Sequence, residues 1–218
     1  MSDSRKRSFK FNVDSDDYTR MMEMLDDLGG ETRKFKGKEV KGWNQDPETI
    51  LNAMTKMAFH ETGPQTGLSP DAVSMIQKTN EGSGPGRGLF QYEKTFRDKE
   101  GNYAQAGGMT ARNRLAQYIE GKGQEVPSWL SQEGMEDPSI GFDASQLSPS
   151  QQYMLFLGDK AMDETAHMRD IHKEGGVKDF WAKEHWAGPK EQLQSKLKSF
   201  GDSMGVYQDS LLDQIMSK

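Results

Sequence analysis

The sequence predicts a mainly α-helical fold, and three observations lead to that prediction. A Ser or Asp followed by Pro opens several segments, which is typical of a helix N-terminus. Within those segments apolar residues recur at steps of three and four, the spacing of one helix face. No segment shows strong strand alternation, and no internal repeat is visible. At 218 residues the chain has room for one domain with an appendage, or for two small domains.

The composition excludes several classes of protein. A net charge of −6 and a pI of about 5.3 give no basic field of the kind that a general nucleic-acid binder carries. Cysteine is absent, so disulfides and thiolate metal sites are excluded. No apolar run reaches the roughly 18 residues of a transmembrane helix, so no membrane span is expected.

Residues 1–45 are predicted to form a polar N-terminal segment, separate from a compact region over residues 46–218. The segment mixes charges of both signs with few large apolar residues. This is typical of a solvated tail, or of a tether that becomes ordered on a partner protein. Within it, "DYTRMMEMLDDLGG" predicts a short helix that ends at Gly29-Gly30.

The compact region opens with a helix in "NQDPETILNAMTKMAFHETGP". Asp46 is a suitable N-cap and Pro47 suits the first helical position. Gly63-Pro64 is the predicted end of this helix. The inward face is formed by Ile50, Met54, Met57 and Ala58.

The middle of the chain predicts two further helices and a loop. "SPDAVSMIQK" predicts a helix capped by Ser69, and "EGSGPGRG" predicts a glycine-rich loop. "TARNRLAQYIEG" predicts a helix that is capped by Thr110. Its inward residues are Leu115, Tyr118 and Ile119.

The last third is read in the same way. Residues 121–147 carry no clear period and are expected to be loop with short turns. Ser148 and Gln151 form a capping-box pattern at the start of a long helix, which is predicted to end at Gly175-Gly176. "VKDFWAKEHWAGP" predicts a short helix. The apolar stripe over residues 193–215 predicts a helix packed on its own core, with an oligomer seam as the alternative, and two glycines argue against a long coiled coil.

Glu61 is the residue with the most informative position. It follows Met54 by seven residues and Met57 by four, so it continues the apolar stripe and points the way the core residues point. Burial of a carboxylate favours its neutral form and raises its pKa. A carboxyl that is still protonated near neutral pH can act as the general acid of glycoside cleavage. The alternative is a glutamate frayed into water at a helix end.

Four short motifs resemble the lytic transglycosylase and goose-type lysozyme group, which cleaves the glycan strands of peptidoglycan. They are Glu61-Thr62, Asp71-Ala72-Val73-Ser74, Gly88-Leu89-Phe90-Gln91 and Glu184-His185-Trp186-Ala187-Gly188. They occur in the family's order over residues 46–200, and only their conjunction is specific. The resemblance implies a lysozyme-like helical domain of the soluble lytic transglycosylase type, preceded by the extended polar segment.

The resemblance also implies roles for individual residues. Glu61 would be the acid that protonates the glycosidic oxygen and then the base that completes the step. The Thr62 hydroxyl and the Gln91 amide would contact sugar, and glycine at position 88 would let the backbone approach the substrate. The expected site therefore has Glu61 as the catalytic residue and Thr62, Gly88, Phe90, Gln91, His185 and Trp186 as substrate-binding residues.

The last motif departs most from the family pattern. His185 stands where the family has Tyr, and its ring keeps a polar tip that can bond to the acid or to substrate. Trp186 stands where the family has Asn, and it either stacks on a sugar ring or fills core. These departures put the substrate contacts in doubt more than they do the acid.

The number of catalytic acids bears on the reaction. Ordinary glycosidases use a pair of carboxylates, and Asp71, Glu81, Glu93 and Asp98 are candidates for the second one. None has a spacing that forces it toward Glu61. The family's one-acid scheme, in which the substrate's own 6-hydroxyl attacks and leaves a 1,6-anhydro sugar, is therefore favoured.

Metal chemistry is not expected. "HETGP" begins like a zincin motif, but Pro64 holds the position of the second histidine. His167 and His172 are five residues apart, so a helix would turn them away from each other. We therefore expect neither a metal nor another cofactor.

The leading hypothesis is a lytic transglycosylase that acts on the β-1,4 bond between N-acetylmuramic acid and N-acetylglucosamine. One alternative is a hydrolytic lysozyme of the endolysin type. Another is a non-catalytic virion or scaffold component that keeps the fold as a structural or glycan-binding module. Turnover of peptidoglycan distinguishes the enzymes from the binding module, and the product distinguishes the two enzymes.

The expected location follows from the N-terminus, which has no apolar h-region and so does not predict a secretory signal. The protein is expected to be made in the host cytoplasm and carried in the tail or internal core of a bacteriophage particle, acting in the bacterial periplasm. Its N-terminal segment is the expected attachment to tail or core proteins. A lysis enzyme released through a membrane pore is the alternative.

Overall fold

Eight helices carry the fold over the residues that the structure describes. The computed structural model describes residues 8–66, 68–80, 82–163, 168–186, 190–208 and 210–217, without the side chains of 63–66 and 190. The helices are α1 (Asp16–Gly29), α2 (Pro47–Thr66), α3 (Pro70–Val73), α4 (Gly107–Gly121), α5 (Pro149–Ala161), α6 (Gly176–Phe180), α7 (Leu193–Met204) and α8 (Ser210–Met216). A π-helical turn, Trp181–His185, continues α6. The predicted mainly α class is confirmed.

Three small antiparallel sheets accompany the helices in this part of the chain. The strands are β1 (Thr32–Phe35), β2 (Lys38–Lys41), β3 (Ile76–Thr79), β4 (Gly82–Arg87), β5 (Tyr92–Glu93), β6 (Phe96–Arg97) and β7 (Tyr103–Ala104). β1 pairs with β2, β4 lies between β3 and β5, and β6 pairs with β7.

Helix α5 is the central element of the core. Its residues are buried on all sides from Gln152 to Lys160, and α4 and α1 pack along it. The predicted capping box is confirmed, because Ser148 and Gln151 bond to each other's backbone N–H groups. At Gly158 an added Cβ would lie 2.7 Å from the Cα of Leu115, so glycine allows α4 to approach closely.

The N-terminal segment differs from the polar tail expected over residues 1–45. From residue 8 onward it packs on the core, and the predicted helix is present as α1. The amides of Phe9 and Phe11 donate to the carbonyls of Leu68 and Ile215, at 2.7 and 3.0 Å. The composition of the segment as a whole did not reveal the apolar stripe of α1, because the charged residues of this helix lie on its other face. The buried residues of that stripe are Met21, Met24, Leu25 and Leu28.

Helix α2 confirms the predicted inward stripe and corrects its predicted end. Ile50, Met54, Met57 and Ala58 are fully buried. The helix does not stop at Gly63-Pro64 but continues to Thr66.

Several other predicted boundaries were wrong. The helix capped by Ser69 ends at Val73, and the residues after it pair as β3 and β4, where a helix and a loop were expected. Helix α4 begins at Gly107, ahead of the predicted cap Thr110. Helix α5 ends at Ala161, well before Gly175-Gly176. For β3 and β4, pairing between the two strands overrode the local signal.

The C-terminal stripe forms two helices. α7 ends at Met204 with Gly205 as its C-cap, which agrees with the argument against a long coiled coil. Phe200 is buried among residues of this chain, as are Leu211 and Ile215 in α8, which supports a helix packed on its own core. α7 packs on α2 and so places its residues near Glu61.

Candidate active site

Glu61 projects from the C-terminal part of α2 and is largely withdrawn from water. Its side chain is 20% exposed. The indole Nε1 of Trp181 donates a hydrogen bond of 2.7 Å to Oε1 of Glu61. The carboxyl is therefore fixed in direction and is not frayed into solvent.

Burial raises the pKa of Glu61 from 4.5 to about 7. The hydrogen bond from Trp181 and the positive charge of Lys196 both favour the ionised form, but burial is the larger effect. Glu61 therefore keeps its proton to a much higher pH than an ordinary glutamate does. A pKa of about 7 lies in the range in which a carboxyl can both give and take a proton.

A cavity of about 710 Å³ lies in front of this carboxyl, and we call it the Glu61 cavity. Its walls come from α2, from β3 and the residue before it, and from α7. Ligand pockets commonly have volumes of about 300–1,000 Å³, so this one has room for a small ligand or part of a polymer. Polar groups on its walls include Gln77, Lys78, Gln91 and Asp202.

The π-helical turn places two aromatic side chains beside Glu61. The amide of Trp186 donates to the carbonyl of Trp181 at 2.8 Å, which closes the wider turn. Of the residues at the two ends of the turn, Trp181 is hydrogen-bonded to the carboxyl and His185 lies 3.7 Å from it. Such turns are frequent at functional sites.

His185 lies beside the acid as an uncharged ring. Its Nε2 is 3.0 Å from the carbonyl of Phe90, to which it donates, and 3.7 Å from Oε1 of Glu61. Burial, together with the charge of Lys160, lowers the pKa of His185 to about 3. The ring therefore forms no ion pair with Glu61 at neutral pH, and the expected bond to the acid is not made.

Trp186 packs on protein. Its ring faces that of Trp181 at an interplanar angle of 26°, with centroids 6.4 Å apart, and it is partly buried against the core. Of the two roles considered for this residue, the structure supports packing. Ala187 and Gly188 of the same motif lie outside the described residues.

The turn from Gly88 to Gln91 places its residues on different sides. Gln91 lines the Glu61 cavity, and its Nε2 donates to the carbonyl of Gly88 at 2.6 Å. Phe90 is only 1% exposed and stacks on Phe156 in the core, so the expected substrate contact by its ring is wrong. Gly88 is buried too, so the expected approach of its backbone to substrate is not available.

Gln152 of α5 holds this turn in place. Its Oε1 accepts from the amide of Leu89 at 2.7 Å, and its Nε2 donates to the carbonyls of Val73 and Leu147 at 2.7 and 3.0 Å. Gly88 has a φ of +70°, and an added Cβ would lie 2.3 Å from the Gln152 Oε1. Glycine is therefore required at position 88 by packing and by backbone conformation.

Thr62 lines the cavity but its hydroxyl serves the helix. The hydroxyl donates to the carbonyl of Ala58 at 2.8 Å, and the residue is 3% exposed. The hydroxyl is thus engaged within the helix, and Thr62 contributes only a buried part of the cavity wall where a direct sugar contact was expected.

His60 and Ser203 connect α2 to α7 at the cavity wall. The His60 Nδ1 is 3.0 Å from the Ser203 Oγ, whose own proton is donated to the carbonyl of Ser199. The histidine must then donate to the serine, which is the opposite of what a general base needs. Burial also lowers the pKa of His60 to about 4. This pair is a structural contact.

Only one further carboxylate reaches the cavity among the described residues. Asp71, Glu93 and Asp98 do not line it, and Glu81 lies outside the described part. Asp202 of α7 does line it, with a side chain that is 70% exposed and 3.5 Å from Lys198.

Two functional contributions were missed by the sequence analysis. Trp181 lies four residues before His185, and helical spacing could have placed both on one face. No local sequence pattern indicated that α7 supplies a wall of the cavity, because this wall depends on packing between residues about 140 positions apart, such as His60 and Ser203.

Glu61→Gln is expected to be more stable than the wild type above pH 7. The folded-state pKa of Glu61 is raised, so the stability that its protonated form contributes is present below pH 4.5 and is lost as pH rises through about 7. Glutamine has no proton to lose. We expect a difference of about 3 kcal/mol in the free energy of unfolding at pH 8 and none at pH 4, measured by urea denaturation. Glu120→Gln, on the exposed face of α4, is the control. Equal stability of Glu61→Gln and wild type at pH 8 would contradict the raised pKa.

Within the described ranges no helix is long and apolar enough to cross a bilayer. The same residues contain no group of three or more side chains that could hold a metal ion.

Comparisons of the chain with protein-family models, with curated proteins and with solved structures find no match.

Proposed function

We propose that the protein is a peptidoglycan-cleaving lytic transglycosylase with Glu61 as its single acid and base. The observation that carries the proposal is a carboxyl with a pKa of about 7, held by Trp181 at the wall of a cavity of about 710 Å³. The proposed substrate class, peptidoglycan, rests on the four sequence motifs. The proposed acid and base chemistry rests on the geometry around Glu61.

The first step is proton donation. Because Oε1 of Glu61 accepts the indole N–H of Trp181, the acid proton is carried by Oε2. This proton passes to the glycosidic oxygen as the bond to the anomeric carbon breaks. The hydrogen bond that Trp181 donates then stabilises the carboxylate that forms.

The second step returns the proton. The Glu61 carboxylate takes the proton of the 6-hydroxyl of the N-acetylmuramic acid residue, and that oxygen bonds to the anomeric carbon. The products are a free 4-hydroxyl on the leaving glycan and a 1,6-anhydro ring, and Glu61 is protonated again. One residue with a pKa near 7 serves both steps.

Hydrolysis is the second candidate, and Asp202 is the observation that favours it. This carboxylate lines the same cavity and could activate a water, as in glycosidases with two acids. Its high exposure and its ion pair with Lys198 leave it in a solvated setting, so we favour the one-acid route.

Delivery in a bacteriophage tail or core, for action in the periplasm, is part of the same proposal. The packing of residues 8–45 on the core leaves less of the N-terminal segment for attachment to virion proteins than expected.

Product analysis tests the proposed function. Purified protein incubated with sacculi is expected to release muropeptides with 1,6-anhydro ends, which are lighter than hydrolysed ones by one water in mass spectrometry. Products with reducing ends would instead support a lysozyme-type hydrolase. Binding to sacculi without any release would support the non-catalytic glycan-binding component.

A further inference from the structure

A lysine is buried close to the proposed active site without a role in the proposed steps. Lys160, in the last turn of α5, is 5% exposed. Its ammonium donates to the carbonyl of Glu184 at 2.6 Å and lies 2.9 Å from Oδ2 of Asp159. Burying a charge is unfavourable unless it is paired and hydrogen-bonded, so the burial of Lys160 calls for a physical explanation.

Charge compensation of Asp159 is not a sufficient reason. Asp159 also accepts from the Tyr92 hydroxyl at 2.9 Å and from Arg114 at 2.8 Å. Arg114 therefore pairs with this buried carboxylate without Lys160. What Lys160 adds is its contact with Glu184, which Arg114 does not make.

Glu184 belongs to the π-helical turn that presents Trp181 and His185 to Glu61. Carbonyls in the last turn of a helix lack partners within the helix, so a donor from outside fixes their direction. The ammonium of Lys160 is such a donor, and it is anchored in turn by Asp159 on the central helix α5. The turn is thus attached to the most buried element of the fold.

We propose that Lys160 is a positioning residue that holds the π-helical turn so that Trp181 stays hydrogen-bonded to Glu61. The inference rests on the proposed role of Glu61 as the acid. Lys160 itself lies outside the cavity and contacts no substrate.

Two variants separate positioning from simple stabilisation. Lys160→Met removes one cation from Asp159 and also the contact with Glu184. Arg114→Met removes the other cation from the same carboxylate and leaves that contact intact. Both changes remove a cation from Asp159, and Arg114→Met also removes an ion pair with Asp163, but only Lys160→Met removes the contact with Glu184. Arg114→Met is therefore the control.

Nuclear magnetic resonance of the free protein gives the first readout. The Trp181 indole signal, assigned with Trp181→Phe, is expected to titrate with Glu61 near pH 7 in the wild type and in Arg114→Met. In Lys160→Met this titration should lose most of its amplitude. The Trp186 amide should exchange about 10-fold faster relative to the amides of α5, the effect of losing a bond from a charged donor.

Cleavage of sacculi gives the second readout. Lys160→Met should lower kcat by about 10- to 100-fold with KM changed less than about 2-fold, because misplacement of a catalytic group acts on the chemical step. If Lys160→Met does not fold, Lys160→Gln, whose amide is too short to reach Glu184, is expected to give the same changes.

The outcomes are distinct. Equal changes in the lysine variant and in Arg114→Met, or an unchanged indole titration in the lysine variant, would overturn the positioning role. If the wild type releases no muropeptides, the proposed function fails, and the two resonance measurements still decide the role of Lys160.

Discussion

Glu61→Gln is expected to lower kcat for peptidoglycan cleavage by about 1,000-fold, the middle of the range for removing a general acid. Glutamine keeps an oxygen that accepts from Trp181, so the local structure is retained. It has no acidic proton for the glycosidic oxygen and no carboxylate to take one back. Both proposed steps fail together.

The measurement is the release of muropeptides from sacculi at pH 6, with circular dichroism as the check on folding. Glu93→Gln is the matched control, because burial also raises the pKa of Glu93 but that residue does not line the Glu61 cavity. Its activity should equal that of the wild type. Wild-type activity in Glu61→Gln would remove the proposed acid.

Gln152→Leu is expected to reduce the free energy of unfolding by about 4 kcal/mol. Two buried backbone groups, those of Leu89 and Leu147, and the partly buried carbonyl of Val73 would lose their partners at once. Each buried group left without a hydrogen bond costs about 1–3 kcal/mol. Leucine has a similar volume but can bond to none of them.

Urea denaturation at pH 7 measures this effect. Gln117→Leu is the control, since Gln117 is exposed on α4, and a change within about 0.5 kcal/mol is expected there. A loss below about 1 kcal/mol for Gln152→Leu would mean that water replaces the amide and that the turn does not depend on it.

The elements with a strong local pattern were predictable from the sequence. The stripe from Ile50 to Ala58 indicated both the inward face of α2 and the direction of Glu61, because helical spacing alone decides which residues share a face. The capping box of Ser148 and Gln151 fixed the start of α5 for the same reason, since all of its contacts are local.

The rest depends on contacts between distant parts of the chain. β3 and β4 are strands because they pair with each other, and the glycines of β4 give no strand signal of their own. The burial of α1 requires a partner surface on α5 that no local pattern reveals. Phe90 was assigned to substrate from the resemblance of its motif to the family, whereas Gln152 holds the turn against the core.

Gln152 and Lys160 are eight residues apart on α5, so they are separated by about 12 Å along its axis. Gln152 is hydrogen-bonded to the turn before Gln91, and Lys160 is hydrogen-bonded to the turn that carries Trp181. The helix thus sets the distance between the turn that leads to Gln91, on the cavity wall, and the turn that carries Trp181, the hydrogen-bond partner of Glu61. Inserting one residue between Gln152 and Lys160 would shift one side chain relative to the other by about 1.5 Å along the helix axis and rotate it by about 100°.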